Sequence, residues 1–180
     1  MRIAIASDHA GFDQKAELIP YLQELGHEVI DLGPASAERV DYPDYAVLVC
    51  KAVTNGEADR GVLVCGTGIG MSIAANKMAG IRAANVILPE FADLARRHND
   101  ANVITLSGRY VTLDVNKQIL KVFLVAQFEG GRHALRIGKI MELDEAGKKA
   151  HVDGPQVTPL RDTLAERINA KLDEKLGSLS

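Results

Sequence analysis

Cys65 is followed at once by Gly66, Thr67, Gly68, Ile69 and Gly70, and is preceded by the apolar run Val62, Leu63 and Val64. Such a run reads as a short buried strand, and in an open parallel sheet ligands bind at the C-terminal ends of strands. Glycine at alternate positions lets the backbone approach an anion closely. The small-residue helix expected from about residue 71 turns its free N–H groups and positive dipole end toward the same spot. A phosphate, an enediolate oxygen or a cysteine thiolate would be favoured there. One nucleophile or base and one oxyanion cradle thus arrive in a single turn.

Other residues suited to chemistry stand near the ends of predicted elements. Asp8 and His9 follow the first strand, His98 and Asn99 end a helix just before the fifth strand, and Gly108 and Arg109 follow that strand. With the Cys65 turn they are expected to converge on one crevice. Arg132 and Arg136 are four residues apart, which on a helix puts both guanidinium groups on one face, a match for a phosphate. Each has a plainer reading. Asp8 could cap the following helix, the arginines could be solvated charges, and a lone histidine is often structural, the reading given to His27, His133 and His151. Cys50, inside an amphipathic helix, reads as a small core residue. The argument for a site is the joint presence of the others.

Two further site types fit less well. The turn GTGIGMS approaches a dinucleotide fingerprint, but its third glycine comes one residue early and no acidic residue ends a strand at the required distance beyond it. Asp8, His9, Cys65 and His98 show no paired metal-ligand spacing, so no metal and no cofactor is expected.

These groups need a scaffold. At 180 residues, with 47% apolar residues and a formal charge of −3, the chain has enough length for one full core and lacks the basic face that nucleic acid or a membrane surface would require. No stretch approaches the length of a membrane span or a signal peptide, and two cysteines make no disulfide framework, so the protein is expected in the cytoplasm with free thiols. Strands over 3–6, 27–32, 62–64, 82–87 and 103–106 alternate with helices over 13–25, 43–54, 71–78, 89–97 and 112–127. That alternation predicts parallel βαβ units in a three-layer α/β sandwich, Rossmann-like, with a five-stranded parallel sheet. After Glu142 the run DEAGKKAHVDGPQ reads as a linker. Leu160, Leu164, Ile168, Leu172 and Leu176 then recur every four residues, as in an amphipathic helix that packs on its own chain or on a second subunit. The expected division is residues 1–143 as the α/β domain and 144–180 as a linker and C-terminal helical extension.

SDHAGF at 7–12, CGTGIGMSIAANK at 65–77, GIRAA at 80–84, RRHNDANV at 96–103, and FEGGRH with Arg136 together resemble the type B ribose-5-phosphate isomerase family, which includes the galactose-6-phosphate isomerase subunits. The resemblance spans 1 to about 143. It implies a metal-free, cofactor-free aldose–ketose isomerase of a phosphosugar, working as a homodimer or dimer of dimers whose active sites are shared between subunits. By the same resemblance Cys65 is the base that moves the proton between C1 and C2, His98 the acid that opens the furanose ring, and Thr67 a group that helps move protons between the oxygens. The backbone of Gly66, Thr67, Gly68, Ile69 and Gly70 would hold the enediolate. Asp8, His9 and Asn99 would bind sugar hydroxyls or the ring oxygen, and Arg109, Arg132 and Arg136 the phosphate.

Some members of that family use a glutamate a few residues after the cysteine, where this chain has Ile73, Ala74 and Ala75. The chain carries cysteine, histidine and both arginines together, as a self-sufficient homo-oligomer would. Ribose 5-phosphate to ribulose 5-phosphate is the leading reaction. A tetrose, allose or galactose phosphate is the alternative within the class, and a non-catalytic phosphosugar-binding module the alternative outside it.

Overall fold

The computed structural model describes residues 1–152 and residue 177, with side chains through Asp144. Its elements run β1 (Arg2–Ser7), α1 (Phe12–Glu24), β2 (Glu28–Asp31), α2 (Tyr42–Thr54), β3 (Arg60–Cys65), α3 (Ile69–Ala75), β4 (Ala83–Asn85), α4 (Pro89–Asn99), β5 (Val103–Ser107), α5 (Leu113–Val125) and α6 (Arg132–Val152). The five strands form one parallel sheet in the order β2-β1-β3-β5-β4. The expected α/β sandwich is the observed one.

The period-two alternation of the strands divides the core. Ile3 and Ile5, Val62 and Val64, and Ile104 and Leu106 face Leu18 and Leu22 of α1, Ala92 and Ala95 of α4, and Ile119 and Phe123 of α5. Ala4, Ala6, Leu63 and Cys65 face the other way, toward Leu48, Val49 and Cys50 of α2 and Met71 and Ala75 of α3. The chain leaves β1 outward to β2 and returns on the other side of β1 to β3, so the crevice between the C-terminal ends of β1 and β3 is a topological switch point. Asp8 and Cys65 stand on its two banks.

Two boundaries differ from the sequence reading. Helix α3 starts at Ile69, two residues early, because Gly68 adopts φ 81° and serves as its N-cap, and it ends at Ala75, three residues before the expected end. Helix α6 continues to Val152, through a stretch whose glycines and charges read as linker after Glu142. Glu, Ala and Lys are good helix formers, and one internal glycine costs only about 1 kcal/mol. Asp144 also ties this helix to the body, its Oδ2 accepting from the Gly80 N–H at 2.8 Å. The amphipathic stretch from Leu160 to Leu176 lies outside the described residues.

Candidate active site

The first half of the site is built from the loops after β1, β3 and β5. Asp8 is buried, and its Oδ1 accepts from the N–H groups of Ala10 at 2.9 Å and Gly11 at 3.0 Å, closing the turn that leads into α1. Asp8 does not cap α1, whose N-cap is Gly11 with no side-chain cap hydrogen bond, so its plainer reading as a helix cap gives way to that of a turn-closing residue. Gly11 has no room for a side chain, since a Cβ there would lie 2.4 Å from the Val64 carbonyl oxygen. His9 is half-buried, and its Nδ1 is enclosed without a partner among the described residues.

At the end of β3 the Cys65 side chain is 5% exposed, and its Sγ accepts from the Gly68 N–H at 3.1 Å. An N–H aimed at sulfur at a helix start stabilises negative charge on it. The loop after β5 fixes the turn. Gly108 N–H donates to the Cys65 carbonyl at 2.8 Å, while Arg109 N–H at 3.2 Å and Ser107 Oγ at 2.8 Å both donate to the Gly66 carbonyl. A trans peptide carries its N–H opposite its C=O, so the N–H groups of Gly66 and Thr67 are turned away from β5. Neither finds an acceptor among the described residues. They form a ready anion cradle beside the sulfur. Thr67 is exposed, and its Oγ1 accepts from Ile69 N–H at 3.3 Å. The Arg109 side chain lies against Gly66.

Several residues that support this half were not singled out from the sequence. Gln14 Nε2 donates to the carbonyls of Gly108 and Val111, and Asn116 Nδ2 to Gln14 Oε1 and the Ser107 carbonyl, bracing the β5 loop from behind. Asn85 packs on Gly68 so closely that a Cβ there would meet its Oδ1 at 2.3 Å, and the Tyr42 ring covers Gly70. Nothing local marked Gln14, Asn85, Ser107 or Asn116, whose partners lie far away in sequence.

The second half lies elsewhere. Helix α4 runs back from the C-terminal ends of the strands, so His98 and Asn99 come out at the N-terminal edge of the sheet, where the carbonyl of nearby Asn102 accepts from Gly61 N–H at the start of β3. At about 3.3 Å per residue, the strand between this edge and Cys65 is roughly 13 Å long. The expected convergence of all clusters on one crevice therefore does not occur within one chain. The physical reason is direction: a helix that follows a parallel strand must return to the opposite edge.

At that edge His98 stacks on buried His133, with ring centroids 4.3 Å apart and planes 3° from parallel. Glu129 lies between Arg97 and the two imidazoles, its Nε2-facing oxygen 3.7 Å from each ring. Arg132 and Arg136 open α6 on exposed positions, and Arg132 Nε donates to His133 Nε2 at 3.4 Å. His133 is held below the usual histidine range, first by burial and then by the neighbouring positive charges of His98, Arg132 and Arg136. Its structural reading from sequence missed that it forms part of this cluster. Asn99 lines a shallow cavity of about 230 Å³ with Arg82, Ala84 and Ile140.

A doubly wound parallel sheet that presents a thiol and an open peptide cradle at its switch point, with arginines and an imidazole pair at its other edge, defines a class of α/β enzymes acting on small anionic substrates. Residues 3–140 match the family described as Ribose/Galactose Isomerase, and the chain belongs to that family. It is 50% identical over 144 residues to ribose-5-phosphate isomerase B of Escherichia coli, an alignment that covers 80% of this chain and 97% of that protein. The solved ribose-5-phosphate isomerase B of Clostridium thermocellum superposes with a TM-score of 0.80 at 49% identity, covering 81% of this chain and 99% of that one. The Mycoplasma genitalium enzyme, solved with bound ribulose-5-phosphate, gives a TM-score of 0.77 at 46% identity, over 80% and 96% of the two chains. The chain is accordingly an isomerase. Among the described residues no helix is long and apolar enough to cross a membrane.

Proposed function

We propose that the chain interconverts ribose 5-phosphate and ribulose 5-phosphate through an enediolate, in an active site shared between two copies of itself. The observation that carries this reading is the Cys65 turn, in which Gly68 N–H donates to the sulfur while the N–H groups of Gly66 and Thr67 remain open beside it. The substrate named in the relatives supports the choice of sugar.

In the aldose-to-ketose direction His98 protonates the ring oxygen to open the furanose. Cys65 then takes the C2 proton as thiolate, and the electrons move onto O1, held by the cradle. Thr67 helps carry the hydroxyl proton from O2 to O1, and the proton held by Cys65 is delivered to C1. A dry cradle protects the enediolate from losing phosphate. Asp8, His9 and Asn99 bind sugar hydroxyls or the ring oxygen, and Arg109, Arg132 and Arg136 take the phosphate. No metal or cofactor enters these steps.

His98, Asn99, Arg132 and Arg136 leave one sheet edge and Cys65 the other, so a second copy must supply the missing half. Ile69 and Ile73 of α3, and Ile87, Leu88 and Phe91 at the start of α4, are exposed on the β4 side of the sheet, an apolar area that suits a subunit contact. A homodimer, or a dimer of dimers, would serve. On this reading residues 1–143 form the isomerase unit, residues 144–180 are an addition to it, and the enzyme works in the cytoplasm.

Isomerisation assayed on phosphosugars of four, five and six carbons, beside Cys65→Ala, tests the reading. Ribose 5-phosphate should be turned over, and Cys65→Ala should lower kcat by at least about a thousandfold. Preference for another sugar would change the substrate but keep the mechanism. Binding without isomerisation would overturn the proposal.

A further inference from the structure

The cluster of His98, Glu129 and His133 has more order than a phosphate pocket needs. One oxygen of Glu129 is fixed by Arg97, whose Nε donates at 2.8 Å and whose second nitrogen also contacts it. The Glu129 N–H in turn donates to the Arg97 carbonyl at 3.0 Å. Arg97 itself pairs with Asp93 at 3.0 Å. The other oxygen of Glu129 stands 3.7 Å from the Nε2 of both stacked imidazoles. The donor atoms of the three side chains lie within 4.8 Å of one another, close enough to suggest a divalent cation. The geometry disfavours one. Stacked rings keep their Nε2 lone pairs in two separate parallel planes, so no ion can lie in the plane of both, and Arg97, Arg132 and Arg136 bring positive charge to the same place.

The two histidines are not equivalent. Arg132 Nε donates to His133 Nε2, so that nitrogen is an acceptor and the buried ring is neutral, in keeping with the direction in which burial pushes it. This leaves the free oxygen of Glu129 to His98, the half-exposed ring of the pair. The carboxylate facing His98 is Glu129, itself paired with Arg97, while Arg132 and Arg136 of α6 bring positive charge to the adjoining His133.

We propose that Glu129, anchored by Arg97, is the positioning residue for ring opening, holding the His98 imidazole in place and compensating the charge it carries before it protonates the sugar. The proposal rests on the reading of His98 as the ring-opening acid. In that step the C1–O4 bond breaks and its electron pair goes to O4, which takes the proton from His98. The O1 hydroxyl loses its proton to solvent and becomes the carbonyl, and His98 is reprotonated from solvent. Ribulose 5-phosphate has its 5-oxygen phosphorylated and cannot close a five-membered ring. Loss of its C1 proton needs Cys65 and the cradle but no ring opening.

This chemistry separates positioning from mere structure. Glu129→Gln keeps the length of the side chain and an oxygen for Arg97 while removing the charge. It should lower kcat on ribose 5-phosphate about tenfold. Exchange of the C1 hydrogen of ribulose 5-phosphate with deuterated solvent, followed by NMR, should stay within about twofold of the parent. Glu129→Asp, which keeps the charge at shorter reach, should give a smaller loss with the same selectivity, and serves if the glutamine variant folds poorly. Equal loss in both assays, or loss in neither, overturns the proposal. Run in parallel, His98→Ala identifies the level of failure: undiminished turnover of ribose 5-phosphate would remove the assignment of His98, and this proposal with it. A parent that neither turns over ribose 5-phosphate nor exchanges the C1 hydrogen would remove the isomerase reading itself.

Discussion

Cys50 and Cys65 belong to the same core cluster, on the α2–α3 side of the sheet, yet their surroundings assign them opposite behaviour. Cys50 is fully enclosed in α2, and burial pushes its thiol up to about 12, so it stays protonated and inert. Cys65 opens onto the cradle and receives an N–H. Iodoacetamide at neutral pH should therefore alkylate the native protein at Cys65 alone, with loss of activity tracking the modification, whereas the denatured chain takes label at both positions. Peptide mass spectrometry checks this; native labelling at Cys50 would contradict the burial argument. The same residue-scale reasoning explains Gly68. Its positive φ and the Asn85 oxygen pressed against it both demand glycine, and the N–H it supplies to Cys65 depends on that turn. The alternating glycines were legible as a cradle. The reason for each was not, because Asn85 and Tyr42 reach the turn through space.

At the scale of elements, the sequence pattern recovered all five strands and the helices between them, with boundary shifts of a few residues. Where it misread, a local signal was overridden. Gly147 and the charges around it suggested a linker, but α6 runs on, tied to the body by Asp144 and Gly80. At its other end α6 docks through the His133–His98 stack, and the chemistry of that contact sets a pH dependence. The folded His133 binds a proton less readily than the unfolded residue, so its contribution to stability is complete above about pH 6.5, the unfolded value, and is lost as pH falls through the folded one. His27, lowered by burial and the nearby N-terminal amine, has the same sign. Glu129, lowered chiefly by its hydrogen bond to Arg97, adds stability above about pH 4.3 that is lost on further acidification. Melting temperatures followed from pH 7.5 to 5 should fall with pH, and less steeply in His133→Gln than in the parent. Identical slopes would show that this imidazole does not couple α6 to the fold.

At the scale of the whole molecule, the proposed site draws on two copies of the chain. Because Cys65 and His98 leave opposite edges of one sheet, the proposed shared site makes a prediction that a self-contained one does not. Cys65→Ala and His98→Ala should each be inactive alone. Mixed under conditions that exchange subunits, they should recover about a quarter of parental activity, since half of the dimers are hybrids and each hybrid holds one intact site of two. No recovery from subunits shown to have exchanged would mean that each chain works alone.

The sequence by itself determined which chemical groups the chain carries and the local frame of each: a thiol before a glycine turn, arginines one helical turn apart, and apolar runs whose periods are those of parallel strands and covering helices. These depend on neighbours within a few residues, and backbone sterics and side-chain periodicity translate them directly. Tertiary structure alone decided what each group meets. The order of strands put Asp8 and Cys65 across one crevice, and the return direction of α4 carried His98 and Asn99 to the far edge. Folding of α6 against that edge turned a histidine with no visible role into the stacking partner of His98. Contacts between residues tens of positions apart follow from strand order and helix direction, which no local spacing records.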